Sequence, residues 1–298
     1  MKSFSQLTKE ELYKAEVDKP CCSRAEYAGM LLFGALITQQ SVKFVTENQD
    51  VLSSWAELSR KQGMDPVVHQ NPEGNARYFA ETTDAVRILQ MLHDFKLVDS
   101  ATGVIRYRID ESLVQKECCR RALVKGAFLS CGTVIDPRKN YNLELVTPYL
   151  GLSRDLEQLL RDVGFPFKTV MRKSKYVLYL KNSEAISDFL AYMGAFQAQM
   201  ELLNVKIEKE IRNDITRTAN SETANLEKTI NAAVTQIQAI ETIQKTIGLD
   251  NLPEDLREIA LLRLTHKDLS LSALGKMMNP PLSKSGVNHR LKKLMNMI

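Results

Sequence analysis

The chain has 298 residues, 44% of them hydrophobic and 26% charged, with 13 Gly and 9 Pro. That is enough sequence for two ordinary domains, and the composition excludes extended disorder and low complexity. No apolar run approaches the ~18 to 20 residues a membrane helix needs, and the mixed charge of Lys2, Lys9, Glu10 and Glu11 at the start excludes a signal peptide. A cytoplasmic protein with no membrane partner is expected. The five cysteines are an odd count: the vicinal pairs Cys21-Cys22 and Cys118-Cys119, plus Cys131. They do not form a secreted disulfide framework.

In chain order the first feature is a repeat. Cys21-Cys22-Ser23-Arg24-Ala25 recurs 97 residues on as Cys118-Cys119-Arg120-Arg121-Ala122, and Gly29-Met30-Leu31-Leu32 aligns with Gly126-Ala127-Phe128-Leu129. Further on, Tyr78-Phe79-Ala80-Glu81 parallels Leu178-Tyr179-Leu180-Lys181. Each copy opens with a helix rich in small residues: Ala28-Gly29 and Gly34-Ala35 in one, Gly126-Ala127 and Cys131-Gly132 in the other. Small side chains let helix backbones approach closely, so these two helices are expected to meet on a pseudo-twofold axis.

Strand-like sequence follows at Val42 to Thr46 and at Tyr141 to Val146, then helices around Asp50 to Gln62 and Ser153 to Val163. Further strands are expected at Arg77 to Glu81, Lys168 to Arg172 and Tyr176 to Leu180, and last helices at Thr83 to Asp94 and Ser183 to Tyr192. The fold class is therefore α+β, one unit used twice, over residues 1–107 and 108–204.

From Val205 the sequence becomes charged and helical, and residues 205–247 read as a helical linker. Asn220-Ser221-Glu222 is an N-cap candidate. Leu226, Ile230, Ala233, Val234, Ile237 and Ile240 form a stripe that should pack on the next domain, and Gly248 stops the helix. Residues 248–298 read as an all-α helix-turn-helix domain. Pro253 opens a first helix, carrying Leu256, Ile259, Ala260, Leu262 and Arg263. Ser270 caps a second from Leu271 to Met278, with Gly275 facing a neighbour. Asn279-Pro280-Pro281 breaks the chain, and Ser283 opens a third helix running to about Asn296.

Charge makes this last helix the candidate site. The net +4 of the whole chain is too small to argue nucleic-acid binding by itself, but Leu269 to Ile298 holds Lys276, Lys284, Arg290, Lys292 and Lys293 and no acid. On a helical wheel Val287, Leu291 and Leu294 share one narrow face. Opposite lie Ser285, Asn288, His289, Lys292 and Lys293, offering amide, imidazole and hydroxyl groups to base edges and ammonium groups to phosphates. The expected recognition helix thus presents Ser283, Lys284, Ser285, Asn288, His289, Arg290, Lys292 and Lys293 to double-stranded DNA. Lys125, Arg138, Lys139, Arg172, Lys173 and Lys175 are the candidates for further phosphate contacts.

These residues resemble the WhiA family of bacterial regulators. The resemblance rests on Ser3-Phe4-Ser5, Cys21-Cys22, Cys118 to Ala122, Gly126 to Leu129, Tyr176 to Lys181, Glu222-Thr223-Ala224-Asn225-Leu226 and the run Leu282 to Leu291, and it covers essentially the whole chain. It implies a duplicated LAGLIDADG-like pseudo-twofold domain followed by a helix-turn-helix similar to sigma-factor region 4. It also implies a nucleoid-associated transcription regulator in cell division, chromosome segregation and sporulation of Gram-positive bacteria. RNA polymerase, a sigma factor or another regulator are the further partners, and an adaptor with little DNA affinity of its own is the alternative function.

A LAGLIDADG nuclease needs one carboxylate at the C-terminal end of each axis helix to hold divalent metal. Aligning Gly126 on the motif's first glycine puts Cys131 at that place, and the first copy puts Gly34 there. Asp136 lies beyond the helix, and Gln39 is its nearest counterpart. No catalysis is therefore expected, and no metal or cofactor. His69, His93, His266 and His289 have no zinc-ligand spacing, and each vicinal cysteine pair reads as buried small side chains at a helix start.

Overall fold

The computed structural model describes residues 2–15, 19–69, 78–99 and 101–298. Contacts divide the chain into two units, Met1–Lys209 and Glu210–Ile298.

The first unit opens with a helix that the periodicity did not announce, α1 (Phe4–Lys14). It is fixed by a capping box in which the Ser3 side chain accepts from the Gln6 backbone N–H and the Gln6 side chain accepts from that of Ser3. The two copies then run in the same order. In the first come α2 (Pro20–Gly34), β1 (Ala35–Ile37), β2 (Val42–Thr46), α3 (Gln49–Lys61), β3 (Val67–His69), β4 (Tyr78–Thr82) and α4 (Ala85–Asp94). In the second come α5 (Glu117–Cys131), β5 (Gly132–Val134), β6 (Leu143–Thr147), α6 (Leu150–Asp162), β7 (Lys168–Arg172), β8 (Lys175–Leu180) and α7 (Ser183–Met193).

The antiparallel sheets have matching strand orders, β1-β2-β4-β3 and β5-β6-β8-β7. Val42 pairs with Thr82 and Leu143 with Leu180, so Tyr78 corresponds to Tyr176, two residues from the match suggested by sequence. A slip of two leaves side chains on the same face, which is why the error left the pattern intact. β3 leaves no signal in the sequence, because three residues are too few to show an alternation. Arg77, at the start of the expected strand, lies outside the described residues.

α2 and α5 are the axis pair. An added Cβ on Gly29 would lie 2.2 Å from the Leu123 carbonyl oxygen, and one on Gly126 would lie 2.1 Å from that of Glu26. The reciprocal contacts show backbone on backbone across a twofold relation. The core around this pair includes Tyr27, Phe44, Trp55, Phe128 and Phe189, all inaccessible to solvent.

Lys125 belongs to this interior, which corrects its assignment as a phosphate contact. Its ammonium lies 3.1 Å from Glu26 Oε1 and donates to the Ala15 carbonyl at 2.9 Å, and the two side chains are 7% and 3% exposed. In sequence it is one basic residue among many, but it sits mid-helix facing the partner helix. Burial pushes the Glu26 carboxyl above its ordinary range, against the pull of Lys125.

Lys125→Met should therefore leave an uncompensated buried carboxylate and cost about 3–5 kcal/mol at neutral pH. With its counter-ion gone, Glu26 takes up a proton in the native state at a pH where the unfolded chain still holds it ionised. Native protons then exceed unfolded protons, so the variant regains stability as pH falls through that window. The single tryptophan, Trp55, is buried in this unit, so urea unfolding followed by its fluorescence at pH 5 and 7.5 measures both effects. A small, pH-independent loss would contradict the pairing.

α8 (Phe196–Thr246) is one continuous helix. Asn220, Ser221 and Glu222 lie in its interior, so the expected N-cap is absent: three polar residues suit an exposed helix surface as well as a helix start. Leu226, Ile230 and Val234 are 61%, 51% and 46% exposed, which corrects the reading of the whole stripe as packed, although Ile240 is buried as expected. The helix ends ahead of Gly248, whose φ of +81° is the left-handed conformation glycine adopts most readily.

Candidate nucleic-acid interface

The second unit closes with α9 (Glu254–Thr265), α10 (Leu271–Met277) and α11 (Lys284–Met295). Their core joins Ile240 and Ile243 of α8 to Leu256, Ile259, Ala260, Leu274 and Met278, and to Val287, Leu291 and Leu294 of α11. The apolar seam expected for the last helix is therefore its packed face. Burial of those three side chains contributes roughly 1.5–3 kcal/mol each.

The turn between α10 and α11 is set by close approach. A Cβ on Gly275 would lie 2.2 Å from the Leu282 carbonyl oxygen and 3.1 Å from Val287 Cγ2, and the Leu282 N–H donates to the Gly275 carbonyl at 2.8 Å. Buried Arg263 ties down the preceding connection, donating to the Leu269 carbonyl at 2.8 Å.

α11 starts where Ser283 accepts from the Gly286 N–H at 3.3 Å. The Ser283 and Ser285 hydroxyls lie 2.9 Å apart, so part of their hydrogen-bonding capacity is used locally. Lys284, Ser285, His289, Lys292 and Lys293 are exposed and Asn288 is half-buried. Together these groups form a surface of hydroxyl, amide, imidazole and three ammonium groups, two of them adjacent, without a carboxylate.

Arg290 is different. Its Nε lies 3.5 Å from Asp255 Oδ2, its Nη1 donates to the Asp255 carbonyl at 3.4 Å, and its side chain is 25% exposed. Three residues beyond Val287 it sits only about 60° from the packed direction. It ties α11 to α9 instead of facing outward, which corrects its place in the recognition set.

In the first unit three of the remaining phosphate candidates cluster on the second sheet, and Arg138 and Lys139 lie in the turn between β5 and β6. Arg172 and Lys175 are paired residues of β7 and β8, Lys173 occupies the turn between them with φ +48°, and all three are exposed. Arg172 also lies 3.3 Å from Glu144. Lys168, paired with Tyr179, shares their face through strand alternation. The sequence reading missed it, although the alternation of β7 was there to find it. Lys139 is exposed, whereas Arg138 is held 2.7 Å from Glu201 and 3.7 Å from Asp136.

At the C-terminal ends of the axis helices stand Gly34 and Cys131. Burial pushes the Cys131 thiol up to about 11, and the charged group acting on it is the Lys9 ammonium. Neither residue carries the carboxylate with which a hard divalent ion is held there.

The vicinal cysteines are placed differently from expectation. Cys21, Cys22, Cys118 and Cys119 come together, with their four Sγ atoms within 4.8 Å of one another. Nothing local in the sequence says that the N-terminal ends of the two axis helices meet.

A twice-used unit on a pair of axis helices, followed by a helix-turn-helix, defines a LAGLIDADG-like domain joined to a module of the DNA-binding type. Family models agree: the WhiA LAGLIDADG-like domain matches residues 120–212 and the WhiA C-terminal HTH domain matches residues 215–298. The chain is 42% identical to the probable cell division protein WhiA of Caldicellulosiruptor saccharolyticus, over 98% of this chain and 93% of that one. It is 40% identical to the probable cell division protein WhiA of Alkaliphilus metalliredigens, over 98% and 96%. The crystal structure of full-length DUF199/WhiA from Thermotoga maritima matches with a TM-score of 0.61 at 25% identity, covering 99% of this chain and 98% of that one. The chain belongs to the WhiA family. Among the described residues no helix is long and apolar enough to cross a membrane.

Proposed function

We propose that this chain is a sequence-specific DNA-binding transcription regulator that acts in cell division, with α11 entering the major groove of double-stranded DNA. The observation that carries the reading is the outer face of α11: exposed Ser285, His289, Lys292 and Lys293 on a helix held by the Ser283 cap and by buried Val287, Leu291 and Leu294. Polar groups reach base edges and ammonium groups reach phosphates, and no acid repels the backbone. The names of the relatives support the cell-division assignment. Chromosome segregation and sporulation, which the family resemblance implies, are included in the same reading.

The LAGLIDADG-like domain acts here without catalysis. Gly34 and Cys131 stand at the axis ends, with the Lys9 ammonium acting on the latter, so these two positions supply no carboxylate pair for Mg²⁺. Lys139, Lys168, Lys173 and Lys175 add phosphate contacts in this reading.

Footprinting of genomic fragments with the purified full chain tests the proposal. Discrete protected sites are expected without polymerase, and supercoiled plasmid in the same buffer with Mg²⁺ should stay uncut. Protection only when RNA polymerase or a sigma factor is added would move the assignment to an adaptor.

A further inference from the structure

We propose that Cys21, Cys22, Cys118 and Cys119 form a structural site for one thiophilic metal ion, Zn²⁺ in the first instance, fastening the two copies of the repeated unit at the N-terminal end of their axis. Among the described residues this is the cluster with metal-ligand character, and all four thiols are free.

Geometry is the first support. A tetrahedral Zn²⁺ with four sulfurs at ~2.3 Å holds those sulfurs ~3.8 Å apart. Here all four lie within 4.8 Å of one another, and the Cys21 and Cys22 sulfurs are already 4.0 Å apart. Closing the tetrahedron shortens the sulfur–sulfur distances by at most about 1 Å. Neighbouring side chains on a helix diverge by about 100°, which makes a vicinal pair a poor chelate alone. Two such pairs facing each other across a twofold axis complete one coordination sphere.

The helix ends are the second support. The cysteines occupy the second and third positions of α2 and of α5, whose N-caps are Lys19 and Lys116. The positive end of a helix dipole favours thiolate, while the Cys22 and Cys119 N–H groups themselves donate to the Lys19 and Lys116 carbonyls at 3.0 Å. Two helix starts, and the Lys116 ammonium that acts on Cys21, thus offset part of the negative charge of a tetrathiolate centre.

The donor set also states what kind of site this is. Four thiolates select soft ions over Mg²⁺ and Ca²⁺, and four protein ligands leave no open position for a substrate. It lies at the opposite end of the axis helices from Gly34 and Cys131, about 20 Å away along helices of 15 residues. A metal there joins the copies and has no part in nuclease chemistry. The inference is independent of DNA binding.

The test uses the reduced full chain. Purified without chelator, it should carry about one Zn²⁺ by emission spectrometry. Anaerobic exchange for Co²⁺ should give the sulfur-to-cobalt charge-transfer band and the intense visible bands of a tetrahedral thiolate site. Cys21→Ser and Cys118→Ser, at the half-buried positions, should abolish that spectrum while circular dichroism stays native. If either variant fails to fold, thiol counting on the native wild type decides: Cys21 and Cys118, the half-buried members of the cluster, should be shielded from a thiol reagent by Zn²⁺ and released by a chelator. A reduced wild-type chain that takes up neither ion, or a cobalt spectrum of oxygen ligation, overturns the proposal.

Discussion

Gly126→Ala should remove a large part of the stability of the first unit. The new methyl would lie 2.1 Å from the Glu26 carbonyl oxygen and 3.0 Å from the Met30 nitrogen, and the carbonyl contact is more than about 1 Å inside van der Waals range. Both neighbours are backbone atoms of α2, so no side-chain rotation relieves the clash and the axis helices must separate. Ordinary overpacking costs about 1–3 kcal/mol. Here the displaced object is a whole helix in the centre of the core, and the loss should exceed about 3 kcal/mol against the ~5–15 kcal/mol of a typical domain. Gly29→Ala should behave alike, since its methyl would meet the Leu123 carbonyl at 2.2 Å. Urea titration read by Trp55 fluorescence reports this unit, and a shift below about 0.5 kcal/mol would show that the axis is not closely packed.

What sequence made legible follows from the range of each signal. The small-residue stretches of α2 and α5 announced close approach, and their repetition announced the twofold relation. The seam of Val287, Leu291 and Leu294 is visible because helical period is a local property, and the Ser270 and Ser283 caps are legible for the same reason. Misreadings arise where a residue's role depends on a partner far along the chain. Lys125 looks like any surface lysine until Glu26 of the other copy is placed beside it, and Arg290 looks outward until Asp255 is found on its flank. The cysteine pairs, 97 residues apart, become one cluster only once the axis fixes which helix ends meet. Asn220-Ser221-Glu222 failed in the opposite direction: a valid local signal was overridden by helix on both sides. α1 was missed although Ser3 and Gln6 spelled out its capping box.

Lys292→Ala combined with Lys293→Ala should weaken DNA binding about 30-fold at 0.15 M salt, equally for target and unrelated duplexes. Each lysine that neutralises a phosphate releases counterions, contributing about 0.9 to the slope of log affinity against log salt, or about fivefold in affinity at that concentration. Two such contacts multiply to the stated loss, and the slope should fall by about 1.8. The stability of the module should be unaffected, because both side chains are exposed and the packed face of α11 is carried by Val287, Leu291 and Leu294. Arg290 is unsuited to the same test, since its removal breaks the tie to Asp255 and confounds folding with contact. The complementary change is His289→Ala: an exposed imidazole on the same face, used for a base edge, should lower the preference for the target over unrelated duplex and leave the salt slope unchanged. Fluorescence anisotropy across a salt series measures affinity and slope together. If the double variant keeps both at wild-type values, α11 does not face the phosphates, and its acid-free surface must serve a protein partner.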